Sequence, residues 1–138
     1  MNAFERFTKK LRDVGQSVTK ARVALFQLLE NAEPQSTAEL LSRAAGQFDR
    51  ASLYRSLALF EELGIVQRLY IGFKYKIELT DMYSHHHHHV SCLKCGKVMP
   101  LSEHEQIERM ITLLAKRHGV RATSHQLEIQ GYCNECEA

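Results

Sequence analysis

Two Cys-x-x-Cys pairs, Cys92/Cys95 and Cys133/Cys136, stand with 37 residues between them in a chain of 138. Each pair delivers two thiolates to one side of a tetrahedron, and two pairs complete it, so the spacing predicts a closed structural Zn2+ site. Such a site pins the C-terminal tail to a turn in the middle of the chain. Whatever lies between must return its end to its start, and the interval exceeds that of a compact zinc ribbon, leaving room for a helix and a strand. Two disulfides in a secreted domain are the alternative, but the N-terminus MNAFERFTKK has no apolar signal core and no run approaches the roughly eighteen apolar residues of a membrane span. A soluble, cytoplasmic protein without a membrane partner is expected, and in a reducing compartment paired cysteines are metal ligands.

Immediately before the first pair stand five consecutive histidines, His85 to His89. Their interior position rules out a terminal tag. Read as a strand over His85 to Ser91, the run alternates, with His85, His87 and His89 on one face and His86 and His88 on the other, so one strand could serve two metal sites. Each would need further ligands, and Glu78, Glu103, Glu105, Glu108, His104, His118 and His125 are available. Mixed imidazole and carboxylate shells suit Zn, Fe(II), Mn(II), Ni(II) or Co(II), and bind more exchangeably than four thiolates. Pattern alone leaves other readings open. The run could be a non-specific metal tract, His125 could be a core residue sharing a strand face with Leu127 and Ile129, His118 could serve the end of a helix dipole, and His104 could be a solvated helix start.

The first half has a different character. Phe4, Phe7, Leu11 and Val14 form one helical stripe; Thr19 caps a helix running to Asn31; Ser36 with Glu39 opens a third through about Ala45; and Asp49 opens a fourth that ends at Gly64. On the fourth helix Leu53, Leu57 and Phe60 make the buried face, which points Arg55 away from the core. Val66 to Tyr70 and Lys74 to Leu79 read as a hairpin. Helices followed by a short hairpin make a winged-helix pattern. The net charge of +2 is uninformative, but residues 1 to 22 carry Arg6, Lys9, Lys10, Arg12, Lys20 and Arg22 against Glu5 and Asp13, the balance of a phosphate-contacting surface. After about Thr80 a helix is expected over 102 to 118, with Ile107, Met110, Ile111 and Leu114 on one face, then strand from Val120 to Tyr132. The expected fold class is α+β, with an N-terminal winged helix-turn-helix domain over 1–82 and a C-terminal α/β domain carrying the four cysteines over 83–138.

Across nearly its whole length the chain resembles the ferric uptake regulator family of metal-dependent repressors. Gly15 with Thr19-Lys20-Ala21-Arg22 is similar to the family's early Gly-x-x-x-Thr-x-x-Arg segment, and Ser52-Leu53-Tyr54-Arg55-Ser56-Leu57 resembles its Thr-Val-Tyr-Arg-x-Leu recognition helix, continued by Glu61-Glu62-Leu63-Gly64-Ile65-Val66. The histidine run with Cys92-x-x-Cys95-Gly96-Lys97, then His118-Gly119, His125, Gly131-Tyr132-Cys133 and Cys136, resembles its dimerisation domain. The resemblance implies that Cys92, Cys95, Cys133 and Cys136 hold structural zinc. It implies that Glu78, His87 and His89 belong to a regulatory site at the hinge between domains, and that His86, His88, Glu108 and His125 form a further site in the dimerisation domain. It also implies that Ser52, Tyr54, Arg55, Lys20 and Arg22 face DNA. Gln35 stands where many members have a histidine just before the third helix, and Pro100 where a glutamate often follows the first cysteine pair. Both departures fall on the hinge site, whose gap His85, Glu33 or Asp81 could fill.

The expected function is a homodimeric, metal-responsive repressor that binds a double-stranded DNA operator and controls iron or zinc homeostasis genes. Regulatory Zn2+ or Fe2+ is favoured over Mn2+, with no small-molecule substrate. Two other classes compete. A zinc chaperone or storage module explains the histidines but not the winged helix. A zinc-dependent hydrolase would use the open sites to activate water, but no His-Glu-x-x-His or His-x-Glu with following Pro-Cys-x-x-Cys is present, so no enzymatic activity is expected.

Overall fold

A computed structural model describes residues 1–101 and 104–137, in two compact units, Met1–His85 and His86–Ala138. The first holds α1 (Ala3–Asp13), α2 (Lys20–Leu29), α3 (Thr37–Ala44), α4 (Arg50–Glu62), β1 (Val66–Ile71) and β2 (Lys74–Leu79). The second holds β3 (His88–Cys92), β4 (Val98–Leu101), α5 (Glu105–Arg117), β5 (Glu128–Gly131) and α6 (Asn134–Glu137). Among the described residues no helix is long and apolar enough to cross a membrane.

Each helix of the first unit starts where a side chain can satisfy an orphan backbone N–H. The Asn2 carboxamide accepts from Glu5 while Glu5 reaches back to Asn2, a complete capping box. Thr19, Ser36 and Asp49 accept from the amides of Arg22, Glu39 and Ser52. At Ser36 the box is half made, because the Glu39 carboxylate lies 3.4 Å from the Lys76 ammonium instead. The ring of Phe26 stacks on that of Phe7 at 4.3 Å between centroids, and Phe60 meets Phe7 edge-on at 5.3 Å. Leu11, Leu25, Leu40, Leu53, Leu57, Ile65 and Ile77 close around them, all buried.

β1 and β2 pair antiparallel from Val66↔Leu79 to Ile71↔Lys74, with Gly72 at φ +63° in the turn. A single antiparallel bridge joins Gln35 to Ile77 and ties the α2–α3 connection to the wing. Helices with a two-stranded wing form the winged-helix arrangement.

The second unit departs from several expectations. The histidine strand begins at His88 rather than His85, so three of the five histidines precede it. Strand over Val120 to Tyr132 is confined to Glu128–Gly131. The expected helix is found as Glu105–Arg117, its proposed start at 102 lying outside the described residues. β4 and α6 were not anticipated. Pro100 argues against a strand by its missing N–H, but in the sheet order β4-β3-β5 its strand is an edge, where proline is tolerated. β3 pairs antiparallel with β4 and parallel with β5, so His89 has Pro100 beside it on one side and Glu128 on the other.

Candidate metal centres and nucleic-acid interface

The four cysteines come together at the end of β3. Cys92 closes that strand, Cys95 follows in the turn, and Cys133 and Cys136 stand at the entry to and within α6. Their Sγ atoms all lie within 4.8 Å of one another, with Cys95 and Cys133 at 3.9 Å. No disulfide is formed, and the latter separation is near the roughly 3.8 Å edge of a tetrahedron with a Zn–S bond of about 2.3 Å. The turns aim backbone amides at the sulfurs. N–H groups of Cys95 and Cys133 pull the Cys92 thiol down to about 6, whereas hydrogen bonding with Cys133 and burial push Cys136 up to about 12. A divalent cation is the neutralising partner this donor set calls for, and no fifth donor joins the cluster among the described residues, leaving the site closed.

A second convergence joins β3, α5 and the loop before β5. Nε2 of His88 lies 2.7 Å from one Glu108 oxygen and Nε2 of His125 lies 2.7 Å from the other. His86 Nε2 is 3.1 Å from His125 Nε2 and 3.4 Å from Glu108 Oε1. Three ring nitrogens and a carboxylate thus meet around one point, near the edge length of about 3.3 Å expected for a tetrahedron with metal–nitrogen bonds of about 2.0–2.1 Å. Burial pushes the Glu108 carboxyl up, but the His88 hydrogen bond and the charges of His125, His86 and His88 outweigh it and hold the carboxyl below its ordinary range. His125 precedes β5 and does not sit on a strand face with Leu127 and Ile129.

Alternation along the run persists although the strand starts late. The rings of His86 and His88 are 4.7 Å apart, as are those of His87 and His89, while His125 joins only the first pair. Glu78 belongs to the first unit, buried on β2, where Gln67 Nε2 donates to its carboxylate at 2.9 Å. His87 and His89 belong to the second. Gln35 is consumed within the winged helix: its Nε2 donates to the Leu28 carbonyl at 2.9 Å, and Arg43 donates to its Oε1. Sequence reasoning missed Glu128, whose Oε1 lies 3.2 Å from His89 Nδ1. Its signal was the charge at the first residue of a strand, but its alignment with His89 depends on a non-local pairing. Of the other candidates, Glu105 pairs with Arg109 at 2.6 Å, and His104 and His118 occupy the two caps of α5 without joining a cluster among the described residues. Glu103 lies outside the described residues.

On the first unit Tyr54 and Arg55 are exposed on α4, opposite the buried Leu53, Leu57 and Phe60. Arg55 Nη2 rests on Ser52 Oγ at 3.3 Å, leaving most of its guanidinium donors to solvent. Lys20 is exposed at the start of α2, and Arg22 donates to the Ser17 carbonyl at 2.7 Å.

A sequence model of the ferric uptake regulator family matches residues 13–130. A ferric uptake regulation protein from Yersinia pestis is 35% identical over 131 residues, spanning 91% of this chain and 86% of that protein. The fold superposes on the crystal structure of the Vibrio cholerae ferric uptake regulator with a TM-score of 0.74 at 31% identity, covering 91% of this chain and 98% of that one. It also superposes on a Francisella tularensis ferric uptake regulator structure with iron, with a TM-score of 0.72 at 27% identity, covering 90% and 96%.

Proposed function

The chain belongs to the ferric uptake regulator family of metal-responsive transcription regulators, and on that footing we propose that it is a homodimeric repressor. In this reading its grip on a DNA operator is set by Fe2+ or Zn2+. The observation that carries the reading is the sorting of the histidine run: His86 and His88 turn to Glu108 and His125, His87 and His89 pair with each other, and a closed four-cysteine cluster braces the strand's end. A closed thiolate set alone would suit a purely structural zinc protein. Histidine–carboxylate sets beside it are exchangeable, as sensing requires.

The DNA-reading residues are Tyr54, Arg55 and Ser52 on α4, which would enter the major groove, with Lys20 and Arg22 on phosphates. Glu78, on the wing, together with His87 and His89 would form the regulatory site. A divalent ion held there would supply a Lewis-acid centre shared by carboxylate and imidazole donors, and its occupancy would favour one arrangement of the DNA-reading heads. Linkage sets the terms: the ion shifts the population only by its differential affinity for the DNA-competent arrangement, and DNA must tighten ion binding by the same factor. His86, His88, Glu108 and His125 would hold a further ion within the dimerising unit. Iron is supported by the iron-containing Francisella relative, and zinc by the imidazole-rich donor sets. Gln35, held by Leu28 and Arg43, does not take the place of the histidine that many family members carry there.

The test is electrophoretic retardation of the promoter DNA of the chain's own gene, with and without added Fe(II) or Zn(II). Retardation that needs the metal is expected. Metal binding without any retardation would instead support a chaperone or storage module.

A further inference from the structure

The regulatory set proposed above is short of partners, because Gln35 is committed elsewhere and Pro100 has no donor to offer. Pro100 occupies the position next to His89 on β4. Directly across β3, at the matching position on β5, stands Glu128. In a sheet, residues in register point to the same face, so a residue on either neighbouring strand can reach the His89 ring. Only the β5 side carries a carboxylate, and its Oε1 lies 3.2 Å from His89 Nδ1. The ring is buried at 2% exposure, while the Glu128 side chain keeps 29% and stays partly solvated. The contact falls on Nδ1, so Glu128 lies behind the ring with respect to Nε2, the other ring nitrogen.

We propose that Glu128 is the positioning residue of His89: its carboxylate accepts the Nδ1 proton, fixes that tautomer, and turns the Nε2 lone pair outward as the atom offered to the metal. A ring that is free to choose its tautomer presents a lone pair at Nε2 only part of the time. A carboxylate behind the ring removes that choice and makes the coordinating nitrogen a better donor. The support comes from β5, one strand across from the position where the family pattern has its glutamate. The inference rests on the proposed regulatory role of His89.

The test uses the full-length protein with its four-cysteine zinc retained, carrying His125→Ala so that the second histidine site does not compete, with Co(II) as the probe. Glu128→Ala should weaken Co(II) binding about 10- to 100-fold and alter the d–d absorption. Glu128→Gln, whose carbonyl still accepts from Nδ1, should recover part of that loss. In the metal-free protein, ¹⁵N shifts of His89 should report the Nδ1–H tautomer in the parent and a mixture in Glu128→Ala. His89→Ala separates the two levels of the argument. If it binds Co(II) like its parent, the regulatory reading of His89 fails. If it loses Co(II) while Glu128→Ala keeps the parent's affinity, spectrum and tautomer, the regulatory reading survives and the role of Glu128 is overturned. An equal loss in the Ala and Gln variants with the tautomer unchanged would assign the effect to packing, and would also overturn it.

Discussion

The two units are built on opposite principles. In the first, sixteen buried residues between Phe7 and Tyr83 form one apolar cluster, and buried Gln35 donates to the Leu28 carbonyl while buried Glu78 accepts from Gln67. In the second, the buried residues among those described are His88, His89, Ser91 and Cys92, whereas Met110, Leu113, Leu114, Val120, Ile129 and Tyr132 are exposed and α5 buries none of its residues. A chain segment of this size without an apolar core needs another source of stability, and metal ligation is one. Exposed apolar side chains in such number also mark a surface that a partner covers, as a second copy would in a homodimer. The first unit is held together by burial, and the second lacks that support among its described residues.

Metal removal should separate the two units most sharply. Cys92→Ser, or chelation of the four-cysteine zinc, should unfold the second unit, since structural zinc contributes roughly 10–16 kcal/mol in zinc-finger peptides. Hydrogen exchange should then show residues 86–138 unprotected while 1–85 keep their protection, and equal loss in both would refute the division. The converse is Phe26→Ala, which removes a ring stacked at the centre of the apolar cluster and should cost about 3–5 kcal/mol. The winged helix should melt first while stoichiometric zinc stays bound. Arg55→Ala should weaken operator binding by about 1–3 kcal/mol with no change in either unit's melting; unaltered affinity would remove Arg55 from base reading. The smallest effect is expected from Ser36→Ala, which deletes the hydroxyl accepting from Glu39 and should cost the first unit about 1 kcal/mol, with metal affinity untouched.

Legibility in the sequence follows the same division. Local chemistry marked the starts of α2, α3 and α4 at Thr19, Ser36 and Asp49 to the residue, because a cap is a contact over three positions. Alternation separated His86 and His88 from His87 and His89 although the regular strand starts only at His88, since extended backbone alternates whether or not it is paired. What escaped was long-range. Glu128 lies 39 residues from His89 and meets it through a parallel pairing that no local pattern announces. β4 was hidden by a proline that only an edge strand accommodates. Residues 120–127, apolar enough at Val120 and Leu127 to suggest a strand, instead form a loop that carries His125 to Glu108.

Coupling of metal to DNA is what would make this chain a metal-responsive repressor. Its most direct measurement is anaerobic titration of the protein, four-cysteine zinc retained and other metal removed, with Fe(II) or Zn(II), read by fluorescence anisotropy of operator DNA. Weak binding is expected without added metal and tight binding as the regulatory site fills. Metal affinity should rise by the same factor when DNA is present, and the response should be abolished in His89→Ala. Operator affinity that is the same with and without metal would contradict that coupling.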